Sequence, residues 1–265
     1  MDLWQAILLG IVQGATEWLP VSSTAHLILV PWICGWSIDP AVQFPFDVIV
    51  QDGTLLAVIV YFRSDLWAIL RAPRGSPERR LGAWILIGTV PAAVAALALQ
   101  HRIEALHGRP VLVAAVLLLA TPILLLGERF GRKDRTTGAL TARDALGVGC
   151  AQALALLPGV SRSAATISGG MLAGLDRAAA ARFSFLLSIP ILAAAGAKKS
   201  LDLLHGPDPA RHLPVLAAGF LAAAVVGYAT IHWLMGFLAR RPVTVFAWYR
   251  IAAGLLLLGL ALYRG

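Results

Sequence analysis

The chain has 265 residues, of which 58% are hydrophobic and 14% charged, with 22 Lys and Arg against 14 Asp and Glu for a net charge of +8. Soluble domains carry about 25% charged residues, so this composition excludes a water-soluble monomer. A mean hydropathy of +0.77 instead indicates a protein that crosses the lipid bilayer several times. The basic excess then marks cytoplasmic loops, and no nucleic-acid partner is expected.

Two segments of the chain, Leu3–Val30 and Asp144–Leu172, are apolar at both ends and polar in the middle. This pattern is typical of a re-entrant helical hairpin whose irregular turn is covered by protein. Six other runs are long and apolar enough to span about 30 Å of hydrocarbon. In chain order these runs are Phe46–Phe62, Gly82–Gln100, Val111–Gly127, Phe183–Ala197, Leu213–Phe237 and Val243–Tyr263.

The two interrupted segments are similar to each other. Gln13 precedes Pro20-Val21-Ser22-Ser23, and Gln152 precedes Pro158-Gly159-Val160-Ser161 with a shift of one residue. Each segment is followed by three spans, and because three is odd, the second half must be inverted relative to the first. The sequence therefore predicts an all-α polytopic membrane protein with two inverted repeats, whose turns meet near the midplane. The repeats cover residues 1–135, with a hairpin over 3–30, and residues 136–265, with a hairpin over 144–172.

The distribution of basic residues predicts the orientation. When the loops at 63–80, 129–143 and 240–241 share one side with Arg177 and Arg182, that side holds 14 Lys and Arg and the other holds 6. The positive-inside rule then places these loops in the cytoplasm and both termini outside. The first hairpin is expected to open outward and the second inward.

Glu17 is an acid inside the first hairpin, and ionisable side chains within membrane segments are candidates for function. Gln13 lies four residues earlier and therefore on the same helix face. The two side chains supply oxygen ligands of the kind that Mg²⁺ or Ca²⁺ prefers. For this pair alone, the alternative is a helix-end acid that is hydrogen-bonded for structural reasons.

Three hydroxyl residues follow, Ser22, Ser23 and Thr24, and His26 lies three residues after Ser23. In a helix that begins here, Ser23 and His26 share a face, and an imidazole beside a serine can activate it as a nucleophile. The alternative is that a serine or threonine caps the helix N-terminus. The pattern predicts Ser23 as nucleophile and His26 as its base, with Ser22 and Thr24 at the substrate.

The second hairpin supplies a cation. Arg162 is the only Lys or Arg between Arg143 and Arg177, and its guanidinium, with the backbone amides of a helix start, would bind phosphate oxygens. The alternative is a structural pair between Arg162 and Glu17 across the repeat interface. The residues predicted to form this phosphate cradle are Gly159, Ser161, Arg162, Ser163 and Thr166.

Together the hairpins offer a carboxylate, hydroxyls, a base and a cation. This set suits phosphoryl transfer, which requires charge neutralisation and alignment of the attacking and leaving oxygens. A substrate met at the membrane midplane should carry a lipid tail. A secondary transporter or lipid flippase is the alternative, because inverted repeats with broken helices are common in transporters. The combination of Ser23, His26 and Arg162 favours an enzyme.

The stretches from Gln13 to His26 and from Leu157 to Met171 resemble the two signature motifs of the undecaprenyl-diphosphate phosphatase (bacitracin-resistance) family. The resemblance continues through Phe46–Gly53 and Phe183–Leu187 and covers essentially the whole chain. It implies an enzyme of the bacterial inner membrane that removes the terminal phosphate of the C55 isoprenyl diphosphate with Mg²⁺ or Ca²⁺. Such an enzyme recycles the cell-wall carrier lipid and confers resistance to bacitracin.

By position, the resemblance implies Glu17 as the essential acid, Ser23 as candidate nucleophile with His26 as its base, and Arg162 as the phosphate clamp. Gln13, beside Glu17 at the expected metal site, matches a position that the family fills with Glu or Gln. The sequence leaves open whether Ser22, Ser23 or a metal-bound water attacks. The expected partners are the polyprenyl diphosphate and the bilayer, with an active site facing the periplasm or exterior and a homodimer as one option for assembly.

Overall fold

The computed structural model describes residues 1–104, 109–204 and 212–264, and α-helices joined by turns make up most of these ranges. One short 3-10 helix covers Thr137–Ala139, and an isolated β-bridge joins Arg135 to Leu175. The helices are α1 (Leu3–Trp18), α2 (Ser23–Cys34), α3 (Pro40–Tyr61), α4 (Arg63–Arg71), α5 (Pro77–Glu104), α6 (Pro110–Leu119), α7 (Pro122–Phe130), α8 (Ala142–Leu154), α9 (Arg162–Leu172), α10 (Arg177–Leu204), α11 (Leu213–Leu238) and α12 (Thr244–Arg264).

The predicted all-α polytopic membrane protein is confirmed. Within the described residues, five helical stretches are long and apolar enough to cross a membrane, and α12 adds an apolar stretch over Thr244–Leu260. Leu97 and Leu119 are each 80% exposed, as expected of side chains that face lipid. The five stretches are Pro40–Tyr61, Pro77–Leu99, Pro110–Phe130, Arg177–Ala197 and Leu213–Leu238.

The predicted run Val111–Gly127 differs from the others because it contains a break. The helix ends at Leu119 and a new one begins at Pro122. Proline has no amide hydrogen to continue the helical ladder, so the chain turns in front of it. The Thr121 hydroxyl donates to the Leu117 carbonyl at 2.7 Å and thereby satisfies one acceptor that the break exposes.

Both hairpins are broken at equivalent points. Ser22 and Ser161 each precede a helix, and each has a φ of 75°, in the left-handed region that non-glycine residues rarely adopt. Gln13 and Ser22 are nine residues apart, as are Gln152 and Ser161. The structure therefore aligns the two serines without the one-residue shift that the prolines suggested.

The two halves pack on each other reciprocally. Helix α1 lies against α11, and α8 lies against α5. Both crossings are close: a Cβ at Gly10 would lie 2.4 Å from the Gly219 carbonyl oxygen, and one at Gly149 would lie 2.2 Å from the Gly88 carbonyl oxygen. Two interlocked repeats would produce this arrangement. The division into residues 1–135 and 136–265 agrees with it and stays a prediction.

The loops predicted to share one side of the membrane meet at one end of the bundle. Arg182 Nε donates to Asp65 at 2.8 Å, and Arg177 Nε donates to Glu128 at 2.9 Å. Arg135 pairs with Asp144 at 2.8 Å. We refer to this end, with its ion pairs, as the basic end.

Candidate active site

The turn of the first hairpin positions Glu17. The residue before a proline disfavours the helical conformation, and Leu19, before Pro20, is extended with a ψ of 141°. The chain then reverses, so that α2 begins at Ser23 beside the end of α1. Glu17 is 7% exposed, and its Oε2 accepts hydrogen bonds from Ser23 Oγ at 2.7 Å and from Gln13 Nε2 at 3.1 Å.

The turn of the second hairpin brings Arg162 to the same carboxylate. Arg162 Nη2 donates to Glu17 Oε1 at 2.9 Å, and the guanidinium carbon lies 5.2 Å from the centre of the Trp18 ring. The ion pair that the sequence suggested across the repeat interface is therefore present. Arg162 Nε and Nη1 are buried and have no hydrogen-bond partner among the residues that the structure describes. These two N–H groups remain available for phosphate oxygens, so pairing with Glu17 does not preclude the predicted clamp.

Two of the hydroxyl residues, Ser22 and Ser161, precede a helix, and two others, Ser163 and Thr166, donate to backbone carbonyls. Ser161 caps α9 by accepting from the Ala164 amide at 3.3 Å, whereas Ser22 occupies the equivalent position in α2 without a side-chain cap bond. Ser163 donates to the Leu19 carbonyl at 2.9 Å and so joins the two turns. Thr166 donates to the Arg162 carbonyl at 2.8 Å. Ser163 and Thr166, predicted at the substrate, thus have structural contacts.

His26 lies where the sequence places it on α2 but does not contact Ser23 as predicted. Its Nδ1 lies 2.8 Å from the Ser22 carbonyl oxygen and its Nε2 lies 2.6 Å from the Tyr249 hydroxyl. Because a carbonyl only accepts, Nδ1 carries the proton and Nε2 accepts from Tyr249. The left-handed turn at Ser22 directs that carbonyl to the ring, which corrects the predicted geometry: Glu17, not His26, lies beside the Ser23 hydroxyl.

Two adjacent residues of α12, neither of which was predicted at the site, form hydrogen bonds to the two turns. Tyr249 holds His26 and stacks on its ring with centroids 5.6 Å apart. Arg250 is fully buried and donates to the carbonyls of Gly159 at 3.1 Å and Val160 at 3.0 Å. A charged residue within an apolar span was the signal that could have found Arg250.

A cavity of about 190 Å³ lies where the two turns meet. Seven of the predicted site residues line it, namely Glu17, Ser22, Ser23, Thr24, Gly159, Ser161 and Arg162. Gln13, His26, Ser163 and Thr166 do not appear in its wall. Gln51, which the sequence offered as a residue lining this cavity, is in its wall, and so is Gln152, which was not predicted there. The remaining lining is apolar and comes from α5, α10 and the turn that follows α8.

Gln13 and Glu17, the residues predicted to bind a divalent cation, lie side by side. Gln13 Oε1 is buried and has no hydrogen-bond partner in the described ranges, and the Gln13 side chain donates to Glu17. Among the described residues, no three His, Cys, Asp or Glu side chains are grouped so as to hold a metal ion. A cation would therefore rely on one carboxylate, one amide oxygen and oxygens of a bound phosphate, which is a common arrangement for Mg²⁺.

Comparisons with known proteins identify the family of the chain. The family model described as "Bacitracin resistance protein BacA" matches residues 6–256. The chain is 44% identical to the undecaprenyl-diphosphatase of Trichlorobacter lovleyi over 96% of each chain. It is 47% identical to that of Anaeromyxobacter dehalogenans strain 2CP-1, over 96% of this chain and 90% of the relative, and 43% identical to that of Thermomicrobium roseum, over 97% and 98%. The chain belongs to the BacA bacitracin resistance family.

Proposed function

We propose that this protein is an integral membrane phosphatase that hydrolyses undecaprenyl diphosphate to undecaprenyl phosphate and inorganic phosphate. The observation that carries the proposal is the contact of the Ser23 hydroxyl and the Arg162 guanidinium with opposite oxygens of Glu17, at 2.7 Å and 2.9 Å. In this proposal Ser23 is the nucleophile, Glu17 is its base and Arg162 is the phosphate-binding cation, and all three residues line one cavity. The printed names of the relatives supply the substrate.

In the first step, Ser23 Oγ attacks the terminal phosphorus while Glu17 takes the hydroxyl proton. The Oγ–P bond forms as the bond from phosphorus to the bridging oxygen breaks, and its electron pair leaves with undecaprenyl phosphate. Water then attacks the phosphoserine, and the proton held by Glu17 returns to Ser23 Oγ as inorganic phosphate departs. Recovery of phosphoserine at position 23 after an acid quench would test this order of events.

Arg162 neutralises the charge on the transferring group. Its two unpartnered N–H groups can bind phosphate oxygens while Nη2 keeps Glu17 in place. Gln13 Oε1 and Glu17 would hold Mg²⁺ or Ca²⁺, which supplies further positive charge against the diphosphate when bound. The predicted assignment of His26 as base to Ser23 is replaced here by Glu17, and His26 instead fixes the Ser22 turn.

The prenyl chain has an apolar surface beside the site. A second cavity of about 210 Å³ is lined by Leu112, Val113, Val116, Leu157 and Pro158. Leu157 lines both cavities. A diphosphate bound at Arg162 could therefore extend its tail over Leu157 toward α6 and the lipid.

The site faces away from the cytoplasm in this proposal. The polar cavity is lined by Ile191, Leu192 and Ala195 of α10, a helix that begins at the basic end with Arg177. At a rise of about 1.5 Å per residue, Ala195 lies roughly 27 Å from that end. With the basic end in the cytoplasm by the positive-inside rule, the cavity opens toward the exterior of the bacterial inner membrane.

Phosphate release from a C55 or C15 diphosphate by the purified protein, with and without Mg²⁺ or Ca²⁺, tests the activity. We expect release that requires a divalent cation and is lost in Ser23→Ala. No release with any divalent ion would favour the lipid flippase or transporter alternative. Such activity would recycle the carrier lipid of cell-wall synthesis, so loss of the protein should also raise sensitivity to bacitracin.

A further inference from the structure

Gln152 is a buried amide without a partner in a cavity that binds an anion in the proposed function. The residue is 2% exposed, and within the part of the chain that the structure describes neither Nε2 nor Oε1 has a hydrogen-bond partner. A buried amide that is left unpaired costs free energy, so such a group is rarely kept for packing alone. Gln152 also lines the cavity that contains Arg162.

The equivalent position in the other repeat shows why this amide is free. Gln13 and Gln152 occupy matching positions before Ser22 and Ser161, but Gln13 donates to Glu17 at 3.1 Å. The residue at the position of Glu17 in the second repeat is Leu156, whose side chain cannot accept a hydrogen bond. Leu156 itself lines the cavity. The second repeat therefore has the glutamine but no carboxylate at the position that accepts from the amide in the first repeat.

The donors near Gln152 indicate the ligand. Among the described residues, Arg162 Nε and Nη1 are likewise buried and without a partner, so the two residues that line this cavity, Gln152 and Arg162, both carry unpaired donors. Several unpaired donors around one space suit an anion with several oxygens. Leu157, which follows Leu156 along the same segment, also lines the apolar cavity proposed for the prenyl tail.

We infer that Gln152 is a substrate-binding residue whose amide donates to the phosphate that stays on the prenyl chain. The inference rests on the proposed function and adds to it a separate binding group for the retained phosphate. Arg162 holds the transferred phosphate beside Ser23, and Gln152 holds the phosphate nearer to Leu157. Contacts to the retained phosphate are present in both substrate and transition state, so their loss should raise KM and change kcat little.

Gln152→Met keeps the length of the side chain and removes the two unpaired polar atoms. We expect KM for a C15 diphosphate to rise about 10- to 100-fold, as for loss of a hydrogen bond to a charged group, with kcat within threefold. The Tm of the detergent-purified protein should be unchanged or higher, because an unpaired buried amide has been removed. Gln152→Glu, which places a negative charge before the diphosphate, should raise KM at least as much.

Ser168→Ala is the matched control, because Ser168 Oγ is also buried without a partner but does not line the cavity. Its Tm should respond like that of Gln152→Met while KM stays within twofold of the parent protein. A second readout needs no turnover: the rise in Tm caused by adding farnesyl diphosphate should be reduced in Gln152→Met and retained in Ser168→Ala.

The outcomes separate the two proposals. Parent protein that binds farnesyl diphosphate but releases no phosphate would overturn the proposed activity and leave the binding role of Gln152 measurable. A parent-like KM and a parent-like ligand-induced rise in Tm in Gln152→Met would overturn the inference. So would a lower Tm of the unliganded variant, because it would show that the amide has a partner within the protein.

Discussion

The two hairpins share a backbone and differ in their chemistry. In each, a serine with a φ of 75° precedes a new helix, and the first helix of the hairpin packs closely on the other half of the protein. Yet α2 begins with Ser23 beside Glu17, whereas α9 begins with Arg162. Repetition explains how two helix starts come to face one cavity. A few side chains differ between the repeats. The start of α2 therefore lies beside a carboxylate, whereas the start of α9 carries a guanidinium.

The largest effect should come from removing the carboxylate of the first hairpin. Glu17→Gln removes the acceptor of the Ser23 proton, and loss of a general base costs about 10²- to 10⁴-fold in rate. We expect kcat for phosphate release to fall into that range. Asp65→Asn is the control, since Asp65 also pairs with an arginine, Arg182, but at the basic end. Parent-like kcat in Glu17→Gln at saturating Mg²⁺ would refute the role of the carboxylate.

The cationic hairpin is tested by a change that keeps its charge. Arg162→Lys retains a positive group near Glu17 but loses the planar fork that can bind two oxygens. We expect kcat/KM to fall about 10²-fold, comparable to the loss of one transition-state donor, while Tm changes by only a few degrees. If Arg162 were only the structural partner of Glu17, Tm would fall and activity would stay near that of the parent protein.

The close packing of α8 on α5 can be disrupted by a substitution that leaves Glu17 and Arg162 unchanged. Gly149→Ala would place a Cβ 2.2 Å from the Gly88 carbonyl oxygen, whereas Gly147, on the same helix, has open space around it. Overpacking of this kind costs about 1–3 kcal/mol, so the free energy of unfolding of Gly149→Ala should fall by that amount. Gly147→Ala should be neutral or slightly stabilising. Equal stabilities in a denaturant titration would contradict the close crossing of α8 and α5.

The smallest effect should come from the support of the first turn. Tyr249→Phe removes the hydroxyl that donates to His26 at 2.6 Å, a loss of about 0.5–1.5 kcal/mol or roughly 2- to 10-fold in kcat/KM. Trp248→Phe, at a neighbouring residue that is 68% exposed, is the control. Unchanged kinetics in Tyr249→Phe would show that the Ser22 turn holds without this contact.

The sequence predicted the features that depend on local pattern. Pro20 and Pro158 indicated where the hairpins break, and the repeat indicated that the two turns would meet, with a pair between Glu17 and Arg162 as the alternative to a phosphate clamp. It could not predict the partner of His26. Helical spacing says which residues share a face, but the choice between Ser23 and Tyr249, which is 223 positions away in the chain, depends on tertiary packing.

The role of Gln152 was also beyond local pattern. Its similarity to Gln13 was visible in the sequence, but its lack of a partner follows from Leu156 standing where Glu17 stands in the first repeat. That equivalence required the alignment of Ser22 with Ser161 that the backbone provides. Sequence spacing identified both glutamines as similar. The three-dimensional equivalence of the two turns showed that Gln13 has an acceptor within its repeat and that Gln152 does not.

The contacts of Tyr249 and Arg250 have a consequence for biosynthesis. These neighbours secure the turns of the first and the second hairpin, the latter through carbonyls up to 91 positions earlier in the chain. Helix α12 is synthesised after all the other helices named here. A nascent chain that has inserted both hairpins but not α12 therefore lacks the hydrogen bonds that hold both turns, and we expect full activity only after this helix enters the membrane.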